Sequence, residues 1–302
     1  MKYLVLGGSG FIGLHLSLAL NQCGHQVRVF DKSLPVIDAL PSEIEIITGD
    51  FSNTFSLAEA LAGVDVVYHL ISTTVPGTSN LDIENDIQSN LIATTNLLQT
   101  MVDVGVKKIV FLSSGGTVYG NSNANQISEN HPLQPICSYG IVKIAIENYL
   151  FMFNQLQNIE YNILRVSNPY GPYQQHLGVQ GVIPTFLTNA LNDNPITVWG
   201  DGSVERDYIY ISDLIDACIK AGVAMHNDVF NIGSGTLTSI RQIIDVIEDV
   251  SGKKLEIEYL PQRNFDVKSI SLDIEHASKT LNWAPQCGLG KGITTYWEQV
   301  NK

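Results

Sequence analysis

Basic residues are scarce in this 302-residue sequence, where 17 Lys and Arg stand against 30 Asp and Glu for a formal charge of −13. With no basic run, the chain lacks the positive face that nucleic acid or an anionic membrane surface would need, so neither is expected as a partner. Arginine occurs five times, at Arg28, Arg165, Arg206, Arg241 and Arg263, so an anionic ligand must be met locally. The four cysteines, Cys23, Cys137, Cys218 and Cys287, are far apart with no Cys-x-x-Cys. That spacing suggests neither a zinc site nor a disulfide framework. No stretch reaches the roughly 18 uninterrupted apolar residues of a spanning helix. The apolar N-terminus is interrupted by Gly7-Gly8-Ser9-Gly10 and lacks a small-residue cleavage site, unlike a secretory signal. With 44% hydrophobic and 16% charged residues, the sequence reads as an ordinary globular, soluble, cytoplasmic protein of one large domain or two lobes.

What is abundant at the start is glycine. The run Tyr3-Leu4-Val5-Leu6 leads into Gly7-x-x-Gly10-x-x-Gly13, with a helical pattern from Phe11. Gly7 lets the chain turn, Gly10 lets backbone approach a pyrophosphate, and Gly13 lets the helix close on the strand. The amides of Phe11 and Ile12 then face phosphate charge. A second strand over 26–30 ends at Asp31, 18 residues beyond Gly13, near the expected place of a carboxylate that binds adenosine ribose hydroxyls. Such an acid repels a 2′-phosphate and favours NAD over NADP, although Lys32 beside it weakens that preference.

Alternation continues with a strand at 44–48, a helix near 57–61, a strand at 64–70, a long helix near 81–104 and a strand at 108–112. Alternating strands and helices with short links predict an α/β fold, a Rossmann-type, doubly wound parallel sheet that binds ligands at its strand carboxyl ends. Those ends carry Asp50 and Phe51, then Leu70, Ile71, Ser72 and Thr73, then Ser113 and Ser114. Asp50 can accept from the adenine amino group or be a solvated turn residue, and Asn90 can brace the active-site loop or be a capping residue. In Ser138-Tyr139-Gly140-Ile141-Val142-Lys143, Tyr139 and Lys143 are four apart and share a helix face. A neighbouring ammonium favours the phenolate, which would make Tyr139 usable as a general base.

Glycine turn, acid, hydroxyl-rich strand end and Tyr-x-x-x-Lys, in that order, resemble the extended short-chain dehydrogenase/reductases. Within them the chain is similar to nucleotide-sugar epimerases of the UDP-glucose 4-epimerase type. Ser113-Ser114-Gly115-Gly116-Thr117-Val118-Tyr119-Gly120, Leu164-Arg165-Val166-Ser167-Asn168-Pro169-Tyr170-Gly171-Pro172, Gly181-Val182-Ile183-Pro184 and Arg206-Asp207-Tyr208 carry the likeness, as does 261–266. The resemblance implies NAD as cofactor, held by Gly7 to Gly13, Asp31, Lys32, Asp50, Phe51, Leu70 to Ser72, Asn90, Ser113, Tyr139 and Lys143. It implies a nucleotide-sugar substrate, a UDP-hexose or UDP-N-acetylhexosamine, epimerised at C4 through a transient 4-keto sugar with Tyr139 as base. Asn168, Arg206 and Arg263 would meet the diphosphate or sugar. Val182, Ile183, Val198 and Gly200 would meet the uridine, and Asp266 its ribose or the loop around Arg263. Thr73 would line the sugar site.

In one place the sequence departs from the family pattern. The position that usually holds the catalytic Ser or Thr is Gly115, so either Thr117 or Ser114 supplies the hydroxyl, with Thr117 favoured, or Tyr139 works without that help. A 4,6-dehydratase would carry Asp-Glu where Gly116-Thr117 stand. A 4-keto-sugar reductase could share Tyr139 and Lys143, and Gly115 also leaves room for a non-catalytic NAD-binding sensor or scaffold. The resemblance further implies a homodimer through the helices near 81–104 and 139–153. It implies an NAD-binding domain over 1–168, with segments near 207–232 returning to it, and a smaller, interleaved substrate lobe over 169–302.

Overall fold

The computed structural model describes residues 1–33, 40–122, 124, 126–174, 181–261 and 269–301. The chain runs through β1 (Lys2–Leu6), α1 (Phe11–Gln22), β2 (Gln26–Asp31), β3 (Glu45–Thr48), α2 (Thr54–Leu61), β4 (Val66–His69), α3 (Ile83–Asp86), α4 (Ala93–Val104) and β5 (Lys108–Ser114). Next come α5 (Ser138–Gln157), β6 (Glu160–Val166), β7 (Asn168–Tyr170), α6 (Val182–Leu191), β8 (Ile196–Trp199), β9 (Glu205–Tyr210), α7 (Ile211–Val223) and β10 (Asp228–Ile232). The rest is β11 (Leu237–Ser239), α8 (Ile240–Ser251), β12 (Ile257–Leu260), β13 (Ser269–Ile270), α9 (Glu275–Leu281) and α10 (Leu289–Val300). Among the described residues no helix is long and apolar enough to cross a membrane.

The described residues within Met1–Gly120, Pro132–Val166 and Ile215–Phe230 form one compact unit. Its seven-stranded sheet has the order β3-β2-β1-β4-β5-β6-β10, and the registered pairs from β3 to β6 are all parallel. That is the doubly wound order, and strand order reverses between β1 and β4, where such folds bind ligands. The strands are apolar on both sides because helices cover both. Leu4 and Leu6 join Val67, Phe111 and Ile163 in a core with Leu57, Leu97 and Ile146 of α2, α4 and α5. Tyr3 faces the other way, its ring 5.7 Å from that of Tyr68, whose hydroxyl donates to the Cys218 carbonyl of α7. Arg28, buried on β2, donates to the Ala60 and Ala62 carbonyls at the end of α2 and pairs with Glu45 at 2.8 Å. A cation there satisfies the negative end of the helix.

The long helix expected near 81–104 is divided. A 3₁₀ turn at Ser79–Leu81 precedes α3, and a π-helical turn at Ile87–Ile92 joins α3 to α4. Side-chain bonding accounts for the widened turn, since it contains Asn90, whose amide is engaged both by the preceding Asp86 and by the loop after β4.

The second unit comprises the described residues within Asn121–His131, Ser167–Leu214 and Asn231–Lys302. In it β9 pairs with β7, β11 and β13, and β8 pairs with β12. Asp207 on β9 is buried and accepts from the Ser234 amide and hydroxyl (2.7 and 2.8 Å) and from the Gly235 amide (3.1 Å), which ties the turn after β10 to the strand.

Candidate active site

Gly7 adopts φ +84°, and the Gly10 amide donates to its carbonyl at 3.1 Å. Leu14 then makes a first helical bond to the Gly10 carbonyl at 2.8 Å, leaving the first-turn amides, Phe11 and Ile12 among them, without helical acceptors. A Cβ on Gly13 would lie 2.1 Å from the Gly7 carbonyl oxygen and 2.6 Å from Gly8 Cα. Only glycine lets α1 sit this close to β1. One Asp31 carboxylate oxygen accepts from the Ser9 amide at 3.0 Å and the other from the Lys32 amide at 2.7 Å, fixing the acid at the rim of the turn. Ile71, at the end of β4, lies against Gly7. These features fit NAD: a turn with no side chain in the way, helix amides aimed outward, and the Asp31 carboxylate held beside them by the Ser9 amide.

Gly13→Ala is therefore expected to destabilise the protein by more than about 2 kcal/mol, because backbone rather than a flexible side chain must move. Less NAD(H) should be released when the purified variant is denatured. A variant with wild-type stability and cofactor content would contradict this account of the turn.

Asp50 accepts from the Ser52 hydroxyl at 2.7 Å and amide at 2.9 Å, with Lys32 Nζ 3.8 Å away. The Ser52 hydroxyl and then its amide hold that carboxyl below its ordinary value, burial opposes them, and Lys32 adds the least. Phe51 is buried beside His69, and Leu70 is half-buried. His69 is packed on β4, its Nε2 2.8 Å from the Thr94 hydroxyl, and burial, with Lys143 nearby, pushes the imidazole down to about 3.

At the ends of β4 and β5, the structure brings Tyr139, Lys143, Ser72 and Ser114 together in the same unit as the glycine turn. The Tyr139 phenol is raised to about 12, chiefly by burial, with Cys137 and Asp86 adding to the rise and the Ser72 and Ser114 hydroxyls beside it drawing it down; the Ser72 hydroxyl itself donates to the Thr74 carbonyl at 3.0 Å. Lys143 Nζ lies 5.5 Å from the Tyr139 ring centroid and donates to the Leu112 carbonyl at 2.8 Å. Burial lowers that amine to about 8, against Glu147 and Asp86. The lowering expected from the Lys143 ammonium is not what the structure gives: burial dominates, and the groups that draw the phenol down are Ser72 and Ser114.

Two buried carboxylates organise the surroundings. Glu147, one turn beyond Lys143, accepts from the Ser113 hydroxyl at 2.5 Å and from Arg165 at 2.6 Å, and Arg165 also donates to the Tyr119 hydroxyl at 3.0 Å. Ser113 is thereby turned onto Glu147. Asp86 accepts from Thr74 Oγ1 and Ser138 Oγ, both at 2.6 Å, and from Asn90 Nδ2 at 3.0 Å. Asn90 Oδ1 in turn accepts from the Thr73 amide at 2.9 Å, and the Thr73 hydroxyl is 2.6 Å from that of Ser89.

In the second unit, Asn168 on β7 donates to the Asp207 carbonyl at 2.8 Å, and Arg206 is half-buried on β9, donating to the Glu205 carbonyl at 2.7 Å. Gly181, at φ +88°, leads into α6, where Val182 is half-buried and Ile183 buried. Val198 is buried on β8, and Gly200 follows at φ +79°. Arg263 and Asp266 lie outside the described residues.

Residues 3–233 match the family described as NAD dependent epimerase/dehydratase. The chain belongs to that family. A UDP-glucose 4-epimerase of Mycolicibacterium smegmatis is 34% identical over 303 residues, covering 97% of this chain and 96% of that one. A dTDP-4-dehydro-6-deoxyglucose reductase of Escherichia coli is 37% identical over 300 residues, covering 96% and 94%. The crystal structure of a Thermotoga maritima UDP-glucose 4-epimerase with UDP-glucose superposes with a TM-score of 0.95 at 32% identity, covering 100% of this chain and 99% of that one.

Against the pattern of this epimerase/dehydratase family, Gly115 leaves two hydroxyls as replacements. Ser114 reaches the Tyr139 phenol, whereas Thr117 Oγ1, favoured by the sequence, is buried without a hydrogen-bond partner. Asp86 and Glu147 carry no motif of their own in the sequence. Each stands four residues from a candidate residue, Asn90 and Lys143 respectively, and that helical spacing is the available signal.

Proposed function

We propose that this protein is an NAD-dependent nucleotide-sugar 4-epimerase acting on a UDP-hexose or UDP-N-acetylhexosamine. The convergence of Tyr139, Ser114, Ser72 and Lys143 at the strand ends beside the glycine turn carries the reading. Bound NAD supplies a hydride acceptor and then a hydride donor at C4. Once ionised, Tyr139 Oη would take the C4 hydroxyl proton and afterwards return it, with Ser114 and Ser72 beside the phenol orienting that exchange. Lys143 holds a positive charge beneath the Tyr139 ring and fixes its own position on the Leu112 carbonyl. Asn168, Arg206 and Arg263 hold the diphosphate and sugar, a guanidinium being the suitable donor for that charge. Val182, Ile183, Val198 and Gly200 receive the uridine, and Asp266 its ribose.

The protein acts as a homodimer in this reading. Exposed apolar side chains on α3 and the π turn (Ile83, Ile87) and on α5 (Ile141, Phe151, Leu156) support that pairing. Four unpaired thiols suit the cytoplasm.

Incubation of the purified protein, without added cofactor, with UDP-glucose and separately with UDP-N-acetylglucosamine tests the reading. The matching galacto epimer is expected by NMR, with no net change in bound NAD(H). The similarity to a reductase favours one second reading, and a requirement for stoichiometric reduced cofactor on a 4-keto sugar would establish it. A 4-keto-6-deoxy product would mean dehydration, and binding without product a sensor or scaffold.

A further inference from the structure

We propose that Asp86 is a positioning residue for Tyr139, its buried carboxylate fixing the two segments that meet at the Tyr139 hydroxyl. The inference rests on the epimerase reading above.

Asp86 is wholly buried, and its three hydrogen-bond donors are all uncharged: the Thr74 and Ser138 hydroxyls and the Asn90 amide. A buried carboxylate without a hydrogen-bonded cation is an expensive way to hold structure together. Its placement gives it a use. Ser138 is the first residue of α5 and immediately precedes Tyr139, and its own amide is held by Asn80 Oδ1 at 2.8 Å. Thr74 stands two residues beyond Ser72, the hydroxyl that reaches Tyr139 from the β4 side. Asn90, held by the same carboxylate, grips the Thr73 amide between them. One carboxylate therefore ties the start of α5 to the loop after β4, so Tyr139 and Ser72 are set against each other. The positive end of α5 compensates part of the charge.

The charge itself also matters. The titratable and charged groups that face Tyr139 and Lys143 are Cys137 and Glu147 at α5, His69 on β4, and Asp86. Asp86 raises the proton affinity of both Tyr139 and Lys143. Removing that negative charge must lower both, so the whole pH profile of turnover moves to lower pH.

Asp86→Asn in the NAD-bound protein tests this, because an amide fits the same space and the neighbouring hydroxyls can rotate to suit it. Expected are a kcat at least tenfold lower, a KM for the UDP-hexose within threefold of wild type, and a profile displaced to lower pH. NMR of ¹³Cζ-labelled tyrosine, with the Tyr139 signal assigned by Tyr139→Phe, should show Tyr139 titrating at least half a pH unit lower. An unmoved Tyr139 titration overturns the proposal, as does a kcat loss matched by a KM rise with no displacement in pH. If wild type shows no turnover, the epimerase reading fails, while the Tyr139 titration still decides the role of Asp86. Should Asp86→Asn not fold, Ser138→Ala carries the test. It should lower kcat several-fold at constant KM, and Ser138→Thr, which keeps the hydroxyl, should restore it; equal loss in both would overturn the proposal.

Discussion

Tyr139→Phe is expected to lower turnover of the nucleotide sugar by about 10³-fold, within the range ascribed to a single acid–base group. The substitution removes one oxygen and leaves the ring, so packing against Lys143 persists. Retained NAD(H), released on denaturation, and equilibrium binding of the UDP-sugar should stay within twofold of wild type. The loss should therefore sit in kcat. Ser114→Ala provides the companion measurement. It removes one of the two hydroxyls that reach the phenol and should cost about tenfold in kcat, consistent with one charge-assisted hydrogen bond. Thr117→Ala deletes a buried hydroxyl that no protein group engages, so it should leave the Tyr139 phenol unmoved and cost kcat less than Ser114→Ala does. More than a tenth of wild-type turnover in Tyr139→Phe would remove Tyr139 from the chemistry, and a larger loss from Thr117 than from Ser114 would exchange their roles.

The placement of Ser113 and Ser114 shows where the sequence is legible. Gly7, Gly10 and Gly13, or Tyr139 and Lys143, are recognisable because their geometry is local, a turn or one helical repeat. The strand-and-helix alternation likewise implied the sheet that the structure contains. The sequence pattern ends β5 at 112, whereas the strand extends through Ser114. Because the strand runs through Ser114, side chains alternate, so Ser113 falls on the Glu147 side and Ser114 on the Tyr139 side. With a loop from 113 onward, no such alternation could be used. Arg165 was equally opaque until the register was known. It pairs with Ser113 across β5 and β6, which is why both converge on Glu147. Asp86 lies among exposed neighbours, Glu84, Asn85 and Ile87, and reads as one more solvated acid. Its burial comes from α5 packing over the π turn, a long-range event that local pattern does not encode.

Lys143→Met is expected to remove at least about 99% of turnover and yet to stabilise the fold at neutral pH. Lys143 is buried, and its amine protonates near 8 in the folded protein instead of 10.5. Between those values the unfolded chain binds more protons than the folded one, so wild-type stability rises with pH across that window. Below pH 8 the full penalty applies, roughly 3 kcal/mol. Methionine removes it and loses the bond to the Leu112 carbonyl, worth about 1 kcal/mol. The net gain at pH 7 is about 2 kcal/mol, and it should disappear by about pH 10.5, where the lysine is neutral in the folded state and losing its proton in the unfolded one. Chemical denaturation of both proteins at pH 7 and pH 10 measures the difference. Equal or lower stability of the variant at pH 7 would mean that Lys143 is held by compensating charges and contributes to the fold. A gain at pH 7 that shrinks at pH 10, together with lost turnover, is what a residue kept for its charge at the Tyr139 ring must show.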